Sequence, residues 1–161
     1  MEILALLEKG IWFGLAALGF GILFNVPRRT LWVIWVLGAI GGLTKVFLLE
    51  GGIGVVLASF AGASFIGVLS IQAAHGKHAP PLVFSIPAVI PMVPGAFAYR
   101  MMLGFMNLTG DITSENYNEL LHQTVNNGLK TLFILMSLAV GVSIPMLATR
   151  KESAKVIKLK K

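Results

Sequence analysis

Apolar runs dominate this sequence and limit its possible folds more than any other feature. A helix needs about 20 apolar residues to cross ~30 Å of hydrocarbon. Five stretches reach that length, at about 3–26, 31–49, 53–74, 82–108 and 129–149. In lipid every backbone polar group must be satisfied within the protein, so such stretches become helices. The expected fold is therefore all-α: one polytopic five-helix transmembrane domain over residues 1–149, with a basic tail over 150–161. Only 12% of the 161 residues are charged, against about 25% in soluble domains. That leaves no room for a separate soluble domain. The N-terminus has no basic segment of the signal-peptide kind, so the first run is expected to remain as a helix.

The fourth run departs from the pattern. Ile86-Pro87-Ala88-Val89-Ile90-Pro91-Met92-Val93-Pro94-Gly95 places three prolines and a glycine in an apolar stretch, and Tyr99-Arg100 follows. Proline removes a backbone donor and clashes with the preceding turn. An interrupted helix at membrane depth must line protein or a wet cavity. The expectation is a break at Pro-x-x-Pro-Gly, with a new half-helix beginning near Gly95. Such breaks hold substrate in many transporters, although a proline kink that only shapes packing is the simpler reading.

The formal net charge is +6. The basic residues lie beside the apolar runs, which indicates topology and anionic lipid, not nucleic acid. Arg28 and Arg29, Lys77, and the group from Arg150 to Lys161 fall in alternate connections. That pattern predicts an outside N-terminus and a cytoplasmic C-terminus. Between the fourth and fifth runs, Tyr117, Leu120, Leu121, Thr124 and Val125 fit a short amphipathic helix lying on the bundle, with Asn126-Asn127-Gly128 as its C-cap. Small residues recur at helical spacing: Gly10 and Gly14, Gly38 and Gly42, then Gly54, Ala58 and Gly62, with Ala63 and Gly67 beside them. Such stripes let helices approach closely, and their number suggests a partner subunit.

No enzyme motif is present, and no cofactor-binding pattern. Without cysteine there is no thiolate metal site. His75 and His78 are three apart but lack a third ligand, so a solvated pair is the better reading. The informative residues are polar groups in or beside the spans, because charge at membrane depth is expensive. Lys45 lies near the end of the second run, where it either snorkels, pairs with Glu50, or serves function. Arg100 follows the break and, with the amides of the new half-helix, suits a carboxylate. Asn25 and Gln72 border their spans, either capping helices or facing a polar path. Glu8 reads as interfacial, beside Lys9.

Several of these residues resemble one family. Phe24-Asn25-Val26-Pro27 closes the first run, and Gly41-Gly42 with Lys45 lies in the second. Val89-Ile90-Pro91-Met92-Val93-Pro94-Gly95 with Ala98-Tyr99 forms the core element, and Gly141-Val142-Ser143-Ile144-Pro145 lies in the fifth. Together they resemble the threonine/serine exporters, specifically the small integral-membrane second half of a split two-component exporter. The resemblance implies a multi-pass protein of the bacterial inner membrane, paired with a larger membrane subunit. It further implies proton-motive-force-driven export of small acids: threonine or serine first, a dicarboxylate such as succinate second. The substrate-binding set expected is Pro91, Pro94, Gly95, Tyr99, Arg100, Lys45, Asn25 and Gln72. Arg100 enters on local physics alone. The alternative is a non-transporting scaffold subunit that orients its partner.

Overall fold

The computed structural model describes residues 3–110 and 114–149. The basic tail, Glu2 and Asp111 lie outside the described residues. All regular structure among those residues is helical: α1 (Ile3–Leu23), α2 (Leu31–Glu50), α3 (Val55–Lys77), α4 (Pro81–Val89), α5 (Gly95–Leu108) and α6 (Ser114–Ala148), with 3-10 turns at Arg28–Thr30 and Ile90–Met92. Four helices are long and apolar enough to cross a membrane, and α4 and α5, bent by 54° at their break, reach that length and hydropathy when taken together. The protein is a polytopic membrane protein.

The helices alternate between two ends of the bundle, called here the Glu50 end and the Arg28 end. At the Arg28 end α1 stops in a Schellman turn. Asn25 adopts the left-handed conformation (φ 53°), its N–H donates to the Ile22 carbonyl, and the Val26 N–H reaches back to Gly21. The buried Thr30 hydroxyl then donates to the Pro27 carbonyl at 2.7 Å and fixes the entry to α2. At the Glu50 end Lys9 and Glu50 pair at 3.3 Å, joining α1 to α2. Half-exposed as it is, that pair adds little stability.

Apolar area alone cannot hold helices together in lipid, so close backbone approach has to. A Cβ on Gly38 would run into Ala17, and one on Gly14 would lie 2.8 Å from the Trp35 ring nitrogen. At the α2–α3 crossing a Cβ on Gly62 would stand 2.6 Å from the Gly41 carbonyl. At the α3–α6 crossing Gly67 faces the Val142 carbonyl (2.9 Å) and Gly141 faces the Phe60 carbonyl (2.8 Å). The small-residue stripes are thus used within the chain and do not themselves require a partner. Gly54 does not join them; it caps α3 and has open space around it.

Two sequence expectations need correction. The third helix runs on to Lys77, so His75 is helical; its Nδ1 donates to the Ile71 carbonyl at 2.7 Å. His78 takes the left-handed position that ends the helix (φ 51°). The expected separate helix ending at Gly128 does not exist, because α6 passes through it without interruption. Gly128 serves packing, not capping: a Cβ there would lie 3.0 Å from Met101 Sδ on α5.

These contacts carry a stability prediction. Gly141→Leu should cost about 1–3 kcal/mol through overpacking against a backbone that cannot yield. Gly76→Ala, where a Cβ meets nothing within 4 Å, should leave stability unchanged or slightly raised. Thermal unfolding in detergent micelles compares the two.

Candidate functional site

The break is built from proline chemistry. Pro91 and Pro94 supply no N–H, so the Pro87 and Ile90 carbonyls lose their α-helical donors. The Val93 N–H tightens onto Ile90 at 2.9 Å. Pro94 (φ −81°, ψ 58°) then makes an inverse γ-turn, in which the Gly95 N–H donates to the Val93 carbonyl at 2.9 Å. Helix α5 begins there with no side-chain cap. Its next bond is Ala98 N–H to Pro94 at 3.1 Å, so the N–H groups of Ala96 and Phe97 have no partner among the described residues. They form the positive end of a helix dipole.

The Met92 carbonyl, which an unbroken helix would pair with Ala96, is taken by a side chain instead. Lys45 Nζ donates to it at 2.9 Å, across 47 residues of sequence. Gly62 makes that reach possible: a Cβ on it would lie 2.6 Å from Met92 Cε and 3.5 Å from Lys45 Cβ. Lys45 sits five residues before the end of α2, and Gly62 seven after the start of α3. Both place the break about 8–11 Å below the Glu50 end, at 1.5 Å per residue. Lys45 neither snorkels nor pairs with Glu50, whose partner is Lys9.

A second cation approaches from the other side. Lys130 of α6 stands over the Phe97 ring, 5.5 Å from its centroid. Cations thus face the start of α5 from two helices. Sequence reasoning overlooked Lys130, which reads as interfacial at the boundary of its apolar run. No carboxylate joins them: the described acidic side chains are Glu8, Glu50 and Glu119. Glu8 accepts from the Trp12 indole N–H at 3.4 Å, within α1. The hydroxyl of Ser59, fully buried and three residues from Gly62, has no partner among the described residues.

The remaining expected site residues are scattered. Met92 and Pro94 are buried, whereas Gly95 is exposed. A Cβ on Gly95 would meet nothing within 4 Å, so there is open space beside the first residue of α5. Pro91 is half-buried within the 3-10 turn. Tyr99 is 65% exposed, on the face of α5 turned away from α6. Arg100 is exposed one turn into α5. Asn25 belongs to the Schellman turn at the Arg28 end. Gln72 is ten residues along α3 from Gly62, ~15 Å away. Neither is brought to the break.

The wide grooves elsewhere do not reach this point. One of about 570 Å³ between α1, α2 and α3 is lined by Leu6, Leu7, Leu43, Thr44, Phe47, Leu48 and Phe65. Its walls suit acyl chains, not a carboxylate. No group of three or more metal-ligating side chains occurs among the described residues.

Comparison with known proteins follows the same outline. The family described as threonine/serine exporter, ThrE, matches residues 9–148. A Haemophilus influenzae protein, described only as uncharacterized, is 32% identical over 142 residues, covering 88% of this chain and 47% of that protein. The chain therefore spans about half the length of that curated relative. No solved structure matches.

The Lys45 contact has a measurable consequence. Lys45→Met should strip the Met92 carbonyl of its donor and cost about 1–3 kcal/mol, the desolvation cost of an orphaned polar group. Arg100→Met, at an exposed position, should cost far less. Unfolding in micelles separates them.

Proposed function

The chain belongs to the threonine/serine exporter family, and from that premise we propose that it is the integral-membrane second half of a two-component exporter of small carboxylate-bearing metabolites. The observation that carries this reading is the Lys45–Met92 contact at the helix break. A substrate carboxylate competes with the Met92 carbonyl for Lys45 and takes the free N–H groups of Ala96 and Phe97. Charge-assisted hydrogen bonds of this kind are the strong ones. The open space at Gly95 gives the carboxylate room. Pro91 and Pro94 hold the break, while Tyr99 and Arg100 lie along the departing half-helix. Gln72 and Asn25 mark the opposite, Arg28-end mouth of the path.

Arg28, Arg29 and Lys77 lie at one end, where Lys77 stacks on Trp32 at 5.0 Å. By the positive-inside rule that end faces the cytoplasm of a bacterial inner membrane. Alternating access rocks this half against a larger membrane subunit, the counterpart of the remaining half of the longer relative. The proton carrier belongs to that subunit, since no described carboxylate reaches the break.

Threonine and serine are the first substrates to test. A second reading, a dicarboxylate such as succinate, is favoured by the charges at the break. Lys45 and Lys130 approach it, and none of the described acidic side chains lies there to meet a substrate ammonium.

The test is counterflow of labelled threonine, serine and succinate in proteoliposomes holding both subunits. Gly95→Leu adds an apolar side chain at the start of α5, where its Cβ meets nothing within 4 Å. It should reduce counterflow about tenfold or more, as expected when a charged hydrogen bond of ~1.5–3 kcal/mol is lost, with assembly unchanged. Undiminished transport by that variant would remove the break from the substrate path.

A further inference from the structure

Seven side-chain hydroxyls are buried among the described residues. Four of them, on Thr30, Thr124, Thr131 and Ser137, donate to a backbone carbonyl three or four residues back. The other three, on Ser59, Ser70 and Ser85, are fully buried and have no partner among the described residues. Buried polar groups are nearly always paired, and an unpaired one costs most where the local dielectric is low.

The three lie along one seam. Ser59 and Ser70 are eleven residues apart on α3, about three turns, so they share a face. That face lies between Gly62, which meets Met92, and Gly67, which meets Val142 of α6; it looks toward α4. On α4, Ser85 is two turns before Met92 and shares its stripe, which faces α3 at Gly62. Helix α3 runs toward the Arg28 end and α4 runs back from it. Seven residues from the Gly62–Met92 contact toward that end lie Leu69 and Ser85. Four residues in from the helix ends at the turn, Lys77 and Pro81, lie Ala73 and Ser85. The two counts bracket Ser70, so Ser70 and Ser85 face each other across the seam. Three residues the other way from the contact, Ser59 is level with Gly95, at the start of α5.

The seam ends in a groove. Ala74, one turn beyond Ser70, and Pro81, one turn before Ser85, line a groove of about 590 Å³ with His75, His78, Ala79 and Pro80. At the other end stands the break, with Lys45 on the Met92 carbonyl. One wall of the seam is only nine residues long and holds Pro87 inside it, which strips the Val83 carbonyl of its helical donor.

We propose that the α3–α4 seam is the part of the substrate path between the helix break and the Arg28 end, shut in this conformation, and that Ser70 and Ser85 are its paired polar contacts. Movement of α4 away from α3 opens it. A hydroxyl both donates and accepts, so the pair serves a carboxylate, an ammonium or a hydroxyl of a small solute in passage. That a solute is carried rests on the exporter reading above; that the seam opens to water does not.

The chain contains no cysteine, so introduced thiols report cleanly. Ser70→Cys and Ser85→Cys are compared with Ser137→Cys, at a buried serine whose hydroxyl is paired. The full-length protein is labelled with an impermeant methanethiosulfonate in intact cells and in inside-out vesicles, and Gly76→Cys, where a Cβ meets nothing within 4 Å, marks the side of the Arg28 end. The two seam thiols should react about tenfold or more faster than the Ser137→Cys thiol, and from the side that Gly76→Cys marks, because only a hydrated thiol ionises readily. Rates no faster than at Ser137→Cys, or reaction from the other side alone, overturn the seam. In the variant carrying both Ser70→Cys and Ser85→Cys, mild oxidation should form a disulfide, since the two positions face each other; failure to form one overturns the pairing. In proteoliposomes holding both subunits that disulfide should lower counterflow about tenfold or more, and a reductant should restore it. Ser70→Ala and Ser85→Ala should lower counterflow several-fold with unfolding temperature unchanged or raised, because no hydrogen bond is lost. Unfolding that weakens in step with counterflow makes the hydroxyls structural and overturns their role. Full counterflow by the oxidised variant overturns the path, whatever Gly95→Leu does. A disulfide that blocks counterflow alongside undiminished transport by Gly95→Leu leaves the seam standing while the substrate site at the break falls.

Discussion

A backbone carbonyl without a donor cannot persist cheaply in hydrocarbon. The rest of this structure follows from how one such carbonyl is satisfied. Pro91 and Pro94 break the fourth span, and Lys45 of α2 reaches across to the Met92 oxygen at 2.9 Å. Two costs offset each other there, a partly buried ammonium and an orphaned acceptor. Neither partner has an intrahelical alternative. The bond ties α2 to the hinge of the broken helix, and a ligand that competes for Lys45 also acts on the hinge.

That contact depends on small residues placed well away from it in sequence. Gly62 on α3 leaves the gap through which Met92 and the Lys45 stem approach, and Gly41 lets α2 and α3 come close enough to set it. Gly67 and Gly141 then fix α6 on the far side of α3. These glycines are structural in one sense and functional in another, because the crossing they permit also sets the geometry of the break. In lipid, where packing replaces the hydrophobic effect as the force between helices, that double use is expected.

How much of this was legible beforehand depended on range. The break, and the start of α5 at Gly95, follow from the local chemistry of proline and glycine. The apolar runs marked out the long helices for the same reason, since in lipid length and hydropathy leave few alternatives. Lys45 stood out as an expensive charge, but its partner lies 47 residues away and no periodicity points there. Gly128 was misread because a glycine after two asparagines has the local signature of a C-cap; only the approach of Met101 shows that it is a packing residue within a continuous helix. Asn25 went the other way, since its left-handed turn at the end of α1 is a local property. Lys130 was missed because a charge at a span boundary looks interfacial until α5 is seen to turn back toward it.

The bend at Pro94 decides where α5 packs. A straight fourth span would have packed along the bundle, and Arg100 and Asn107 would have been buried among helices or turned to lipid. Turning α5 by 54° at Pro94 carries that half-helix off the bundle and onto the outer part of α6. The same turn exposes the Ala96 and Phe97 amides and brings Phe97 under Lys130. One proline-glycine step thus sets an uncapped helix start between two lysines. Substituting only the residues that line the site would leave this arrangement in place, because the backbone at Pro91, Pro94 and Gly95 creates it.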